Sequence, residues 1–183
     1  MSELEEMMNE TVALDGEDAI TLSTLADFDL ANVEEVRGSN FPAGTFQFSV
    51  KADPVPTFAI VEVNDPEVPG AKIKRAQVKF CLECLNVVEM PPKQKDGTVS
   101  PAPESVIGRD FYQTFFIKTG DDIGRVKAFL TDIGAQNAGK FADLLLSSVG
   151  ARFQAPIKQV FKKDDHDVIY TNLDRNKIKV LEA

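Results

Sequence analysis

The chain has 183 residues, 43% hydrophobic and 27% charged, with no tryptophan and a net charge of −9. That length supports one well-buried core, and no stretch reaches the ~18 consecutive apolar residues of a membrane span. The charge is unevenly placed: residues 1–40 hold eleven carboxylates against Arg37 alone, so this segment carries −10 and the rest +1. An acidic total therefore does not exclude a polyanionic partner for the body of the chain.

Residues 1–40 read as an acidic, mobile arm and residues 41–183 as the body. The N-terminus lacks the basic start and apolar run of a secretory signal. The only cysteines are Cys81 and Cys84, which fits a cytoplasmic chain with reduced thiols. "SELEEMMNETVAL" sets Leu4, Met7, Met8 and Leu14 roughly along one side of a short helix. The arm has three expected uses: solubilising the chain, binding a partner protein, or competing with a polyanion for the body's basic face. The turn formers of "RGSNFPAG" open the body.

"GTFQFSVKAD" alternates as a half-buried strand does, with Phe46, Phe48 and Val50 on one side and Thr45, Gln47, Ser49 and Lys51 on the other. A second strand around 58–63 is bounded by prolines. "AKIKRAQVKFCLECLNVVEM" predicts a long third strand. Its core side is Ala76, Val78, Phe80, Leu82 and Cys84; its outer side is Arg75, Gln77, Lys79, Cys81 and Glu83. The Pro, Gly, Ser and Lys content of 91–105 predicts a mobile loop.

"GRDFYQTFFIK" then puts four aromatics into eleven positions. Alternate side chains of a strand point to opposite faces, so Phe111 and Phe115 go one way and Tyr112 and Phe116 the other. A helical pair follows over about 121–149. The first helix carries Ile123, Val126, Phe129, Leu130 and Ile133 at helical spacing, the second Phe141, Leu144, Leu145 and Val149, and each ends on glycine. "ARFQAPIKQVFKK" returns to strand, with Phe153, Ile157 and Phe161 inward and Arg152, Lys158 and Lys162 outward. "VIYTNL" is a last short strand, and "DRNKIKVLEA" a tail or edge. The order predicts a mainly β fold with a helical insertion: an OB-like antiparallel, partly open barrel.

The outward sides of these strands collect Lys51, Arg75, Lys79, Tyr112, Phe116, Lys118, Arg152, Lys158 and Lys162. Cations separated by exposed rings suit single-stranded nucleic acid, because the cations track phosphates and the rings stack unpaired bases. The helices carry few basic residues, so neither reads as a groove-reading element for duplex DNA. The competing expectation is that Tyr112 and Phe116 pack beneath the helical pair as part of a two-sided core.

Other chemistry has less support. The two thiols of "CLEC" fall on opposite faces of a strand, and no second pair completes a zinc site. Asp164, Asp165 and Asp167 around His166, the one histidine, offer carboxylates for a divalent ion, but a polar hairpin turn is the simpler reading. No nucleophile motif and no phosphate-cradling glycine loop is present, so the expectation is a non-enzyme with no cofactor and no metal.

"FPAGTFQFSV", "IGRDFYQTFFIK", "GRVKAFLTDIG" and "VGARFQAPIKQVF" with "YTNL", in that order, resemble the plan of small bacteriophage replication and recombination proteins, the OB-fold single-stranded-DNA-binding type. The resemblance spans roughly residues 40–175. It implies sequence-tolerant, cooperative coating of single-stranded DNA in the host cytoplasm and recruitment of replication or recombination proteins. It puts Tyr112, Phe116 and Lys118 on the DNA-facing strand, with Lys79 and Lys158 beside them. Such proteins usually carry the acidic tail at the C-terminus and often stack bases on tryptophan; here the acid is N-terminal and tryptophan is absent. The alternative is a non-enzymatic protein-interaction or structural β module, of a phage assembly or inhibitory kind. Homo-oligomerisation is left open by the sequence.

Overall fold

A computed structural model describes residues 41–65, 67–163 and 165–182, together with the pairs Thr11–Val12 and Ile20–Thr21. The chain divides into two units, Met1–Ser39 and Asn40–Ala183. In the first, β1 (Thr11–Val12) pairs antiparallel with β2 (Ile20–Thr21). The helix expected over 2–14 is therefore not formed at Thr11–Val12, where the backbone is paired as strand; the rest of that segment and the expected mobility of the arm lie outside the described residues.

The second unit is mainly β. Its strands are β3 (Gly44–Val50), β4 (Thr57–Asn64), β5 (Lys72–Glu89), β6 (Asp110–Ile117), β7 (Arg152–Lys162), β8 (Asp165–Leu173) and β9 (Lys179–Val180). All pairings are antiparallel and form one seven-stranded sheet, in which β5 pairs with β3, β4 and β6, and β7 pairs with β3, β8 and β9. Eighteen-residue β5 serves so many partners because they use different stretches of it. β4 takes Lys72–Lys79, β6 takes Ala76–Glu83 on the opposite edge, and β3 takes Leu82–Glu89. The sheet is not closed: among the described residues β6 pairs only with β5, and β8 only with β7.

The core lies on the side predicted by the alternation. Phe46, Phe48, Val78, Phe80, Leu82, Cys84, Phe153 and Ile157 are all buried. Phe48 lies 5.8 to 6.1 Å by ring centroid from Phe41, Phe111 and Phe153, and Phe129 continues the series to Phe80 and Phe115 at 5.0 and 5.4 Å. Such tilted and edge-on ring pairs each add about 0.5–1.5 kcal/mol beyond their buried area.

Two helices, α1 (Gly120–Asp132) and α2 (Phe141–Ser147), follow β6. α1 inserts Val126, Phe129 and Leu130 into the core, with Phe129 5.4 Å from Phe115. Ile123, expected in that buried stripe, is instead exposed. α1 stops at Gly134, whose φ of +75° suits glycine, and a Cβ there would come within 2.9 Å of Val180 on β9.

The segment 91–105 is held rather than free. Gln94 is buried, its Oε1 accepts the Ala43 N–H at 2.6 Å, and the Lys95 N–H donates to Gln159 Oε1 at 3.0 Å. The turn-forming composition was legible; the glutamine anchor was not. Among the described residues no helix is long and apolar enough to cross a membrane.

Candidate nucleic-acid interface

The register of β4, β5 and β6 builds the outer face row by row. Thr57, Lys79 and Thr114 form one row, Ala59, Gln77 and Phe116 the next, and Val61 and Arg75 continue it. Tyr112 sits opposite Cys81. Phe111 and Phe115 are 6% and 7% exposed, whereas Tyr112 and Phe116 are 47% and 42% exposed. The helices cover the other face, through Phe129 on Phe115. Tyr112 and Phe116 are therefore not a second core layer.

Tyr112 and Phe116 each have a cation above the ring. Lys79 Nζ is 4.1 Å from the Tyr112 ring centroid, and the Arg75 guanidinium carbon is 5.9 Å from that of Phe116. Exposed cation–π contacts of this kind contribute about 0.5–1 kcal/mol. Stacking a base contributes about 1–3 kcal/mol, so a base can displace the cation from the ring and still gain.

Cys81 departs from expectation. Its position is on the outer side, yet it is buried. Burial pushes its thiol above the ordinary range, and the thiol in turn raises the Tyr112 phenol. Both groups are thus neutral at pH 7. Cys84 lies in the core, and burial pushes it up to about 11. Both thiols are free.

The nine candidates separate into groups. Arg75, Lys79, Tyr112 and Phe116 share the β5–β6 face, and Lys118 follows at the end of β6. Lys51 stands at the other end, where its Nζ binds Asp110 at 3.0 and 3.2 Å; that carboxylate raises the lysine above its ordinary value. Glu83 lies opposite Asp110, so this end of the face is acidic. Lys158 binds Asp174 at 2.6 Å and draws its carboxyl below the usual range. Arg152 and Lys162 are exposed on β7, Arg152 opposite Ser49 across β3. Lys51 and Lys158 are thus partnered cations, a distinction that residue type alone does not carry.

Arg125 on α1 and Arg175 after β8 were not anticipated. Both line a cleft of about 360 Å³ with Arg75, Phe116 and Lys118. Arg175 also lies 5.3 Å from the Phe115 ring centroid. Arg109, on the core side of the alternation, covers Phe41 at 5.5 Å.

Among the described residues no group of three or more His, Cys, Asp or Glu is placed to hold a metal. Asp164 lies outside the described residues, as do the side chains of Asp165 and Asp167. No protein-family model and no curated protein matches this chain.

Proposed function

We propose that this chain is a non-enzymatic single-stranded-DNA-binding protein that coats unpaired strand with little sequence preference across the outer face of β5 and β6. The observation that carries this reading is the pair Tyr112 and Phe116, half exposed on one sheet face with Lys79 and Arg75 beside them. Four strand positions separate the rings, about 13 Å. Stacked neighbouring bases are only ~3.4 Å apart, so the two rings suit splayed bases of an extended strand. A duplex presents no such bases.

The pairing order supports an OB-like body. β3 pairs with both β5 and β7, β6 follows on β5, and the helices fall between β6 and β7. Leaving aside β4, which pairs with β5 on the edge opposite β6, β5 and β6 follow β3 as the second and third strands in chain order. In OB-folds the face of strands two and three binds oligonucleotides. The setting in phage replication or recombination, and a recruiting role for the acidic arm, follow from the resemblance of the segment phrases.

The test is fluorescence anisotropy of labelled oligo-dT with the full chain across a salt series. Saturable binding that weakens as salt rises is expected; no binding at low salt overturns the reading. The second reading, a protein-interaction module, is favoured by apolar surface on the helix side of the sheet. There Phe58 and Ile60 of β4 are 53% and 71% exposed, and Phe58 is 5.8 Å from Phe141. Failure to bind DNA would turn attention to that surface.

A further inference from the structure

The cleft at the end of β6 draws its cations from four separate places. Arg75 comes from β5, Lys118 from the β6–α1 junction, Arg125 from α1, and Arg175 from the turn after β8. Asp122 is the one carboxylate in its lining. That carboxylate is already engaged: Oδ2 accepts the N–H groups of Lys118 and Thr119 at 2.8 and 3.0 Å, and Oδ1 takes Arg125 Nη1 at 3.2 Å. The lining therefore has a surplus of three positive charges in a concave site, where field lines are focused.

Three of the four cations are arginines, whose planar forks match phosphate oxygens two at a time. The cleft also runs directly into the aromatic face, because Phe116 and Arg75 belong to both. It opens along the edge of β6 that no described strand covers.

We propose that this cleft is a phosphodiester-binding site in which Arg125 and Arg175 grip the DNA backbone as it passes Phe116 and leaves the β5–β6 face. The inference rests on the single-strand reading above and adds a second, purely electrostatic half to that surface. Bases stack on the sheet; the backbone is held in the open seam. The strand's path then turns from the outer face toward α1, and the bound length exceeds what Tyr112 and Phe116 alone would span.

The test is the salt dependence of oligo-dT binding by the full chain and by Arg125→Ala/Arg175→Ala. Each lost phosphate contact on single-stranded DNA lowers the log–log salt slope by about 0.7. The double variant should therefore lose about 1.4 from the slope. Its affinity deficit relative to wild type should shrink about 25-fold between 0.05 and 0.5 M salt. Arg125→Lys/Arg175→Lys should keep the slope, since the charge count is retained. Because Arg175 packs on Phe115, a thermal melt accompanies each variant, and Arg125→Gln alone, on exposed helix surface, should still lose about 0.7. Wild-type binding with an unchanged slope in the Ala and Gln variants would overturn the cleft and leave the stacking face standing. Absence of wild-type binding would overturn both.

Discussion

Phe115 and Phe116 are neighbours in the chain and occupy different environments. Phe115 is enclosed by Phe80, Phe129 and the Arg175 guanidinium, while Phe116 lies open with Arg75 at its side. The same contrast holds one repeat earlier, between Phe111 in the core and Tyr112 under Lys79. The two faces of β6 thus separate buried from exposed rings of the same kind. A large ring on a sheet's outer face must still shed some water, and here a cation partly covers it.

The sharpest way to break this comparison is to truncate both rings separately. Phe115→Ala should cost about 3–5 kcal/mol of folding stability, the usual scale for a buried phenylalanine, read from urea denaturation. Phe116→Ala should cost under about 1 kcal/mol, the scale of its cation contact. It should instead weaken oligo-dT binding by about 1–3 kcal/mol, or roughly 5- to 150-fold. Equal losses of stability for the two variants would show that Phe116 is a core residue after all.

A second contrast lies between lysines. Lys79 stands over an exposed ring, whereas Lys158 is tied to Asp174. Both are outward lysines by strand alternation. Lys158 is a point charge held at 2.6 Å by Asp174, so it releases few counterions when a phosphate arrives, whereas Arg125 meets Asp122 through Nη1 alone at 3.2 Å and has further guanidinium donors to offer. Lys79→Ala should lower the salt slope of DNA binding by about 0.7, and Lys158→Ala should leave it unchanged. The same titration with both variants checks the pair, and a larger change for Lys158→Ala would move the interface to β7.

Strand alternation made the faces of β3, β5 and β6 legible, because each has a mostly apolar side with period two, broken in β6 only by Gln113. It also placed Arg75, Lys79, Tyr112 and Phe116 together, since register between neighbouring strands follows from which sides must be buried. What it did not carry was partnership across distance. Lys51 with Asp110 and Lys158 with Asp174 depend on where loop ends and turns return. Arg125 and Arg175 converge on Phe116 only because α1 and the turn after β8 flank the open edge of β6, and they are 50 positions apart in the chain. Cys81 was assigned to the outside by parity and is covered by its neighbours there, which parity does not describe.

Asp122 gives the smallest effect and tests both halves of the surface at once. The Lys118 and Thr119 N–H groups, then Arg125, hold its carboxyl below the usual range. A carboxylate depressed in the folded state stabilises it fully above its unfolded value of about 3.9, and that contribution is lost as pH falls through the folded value. Asp122→Asn should therefore melt below wild type at pH 7, with the two curves converging in acid below about pH 3.9. The same substitution removes the carboxylate from the cleft and should tighten oligo-dT binding about two- to fivefold, the scale of one exposed charge interaction. The signs are opposite because the charge serves the helix start and opposes the strand. Weaker DNA binding by the variant would mean that Asp122 instead orients Arg125 and Lys118 for the phosphate, making its structural and binding roles one.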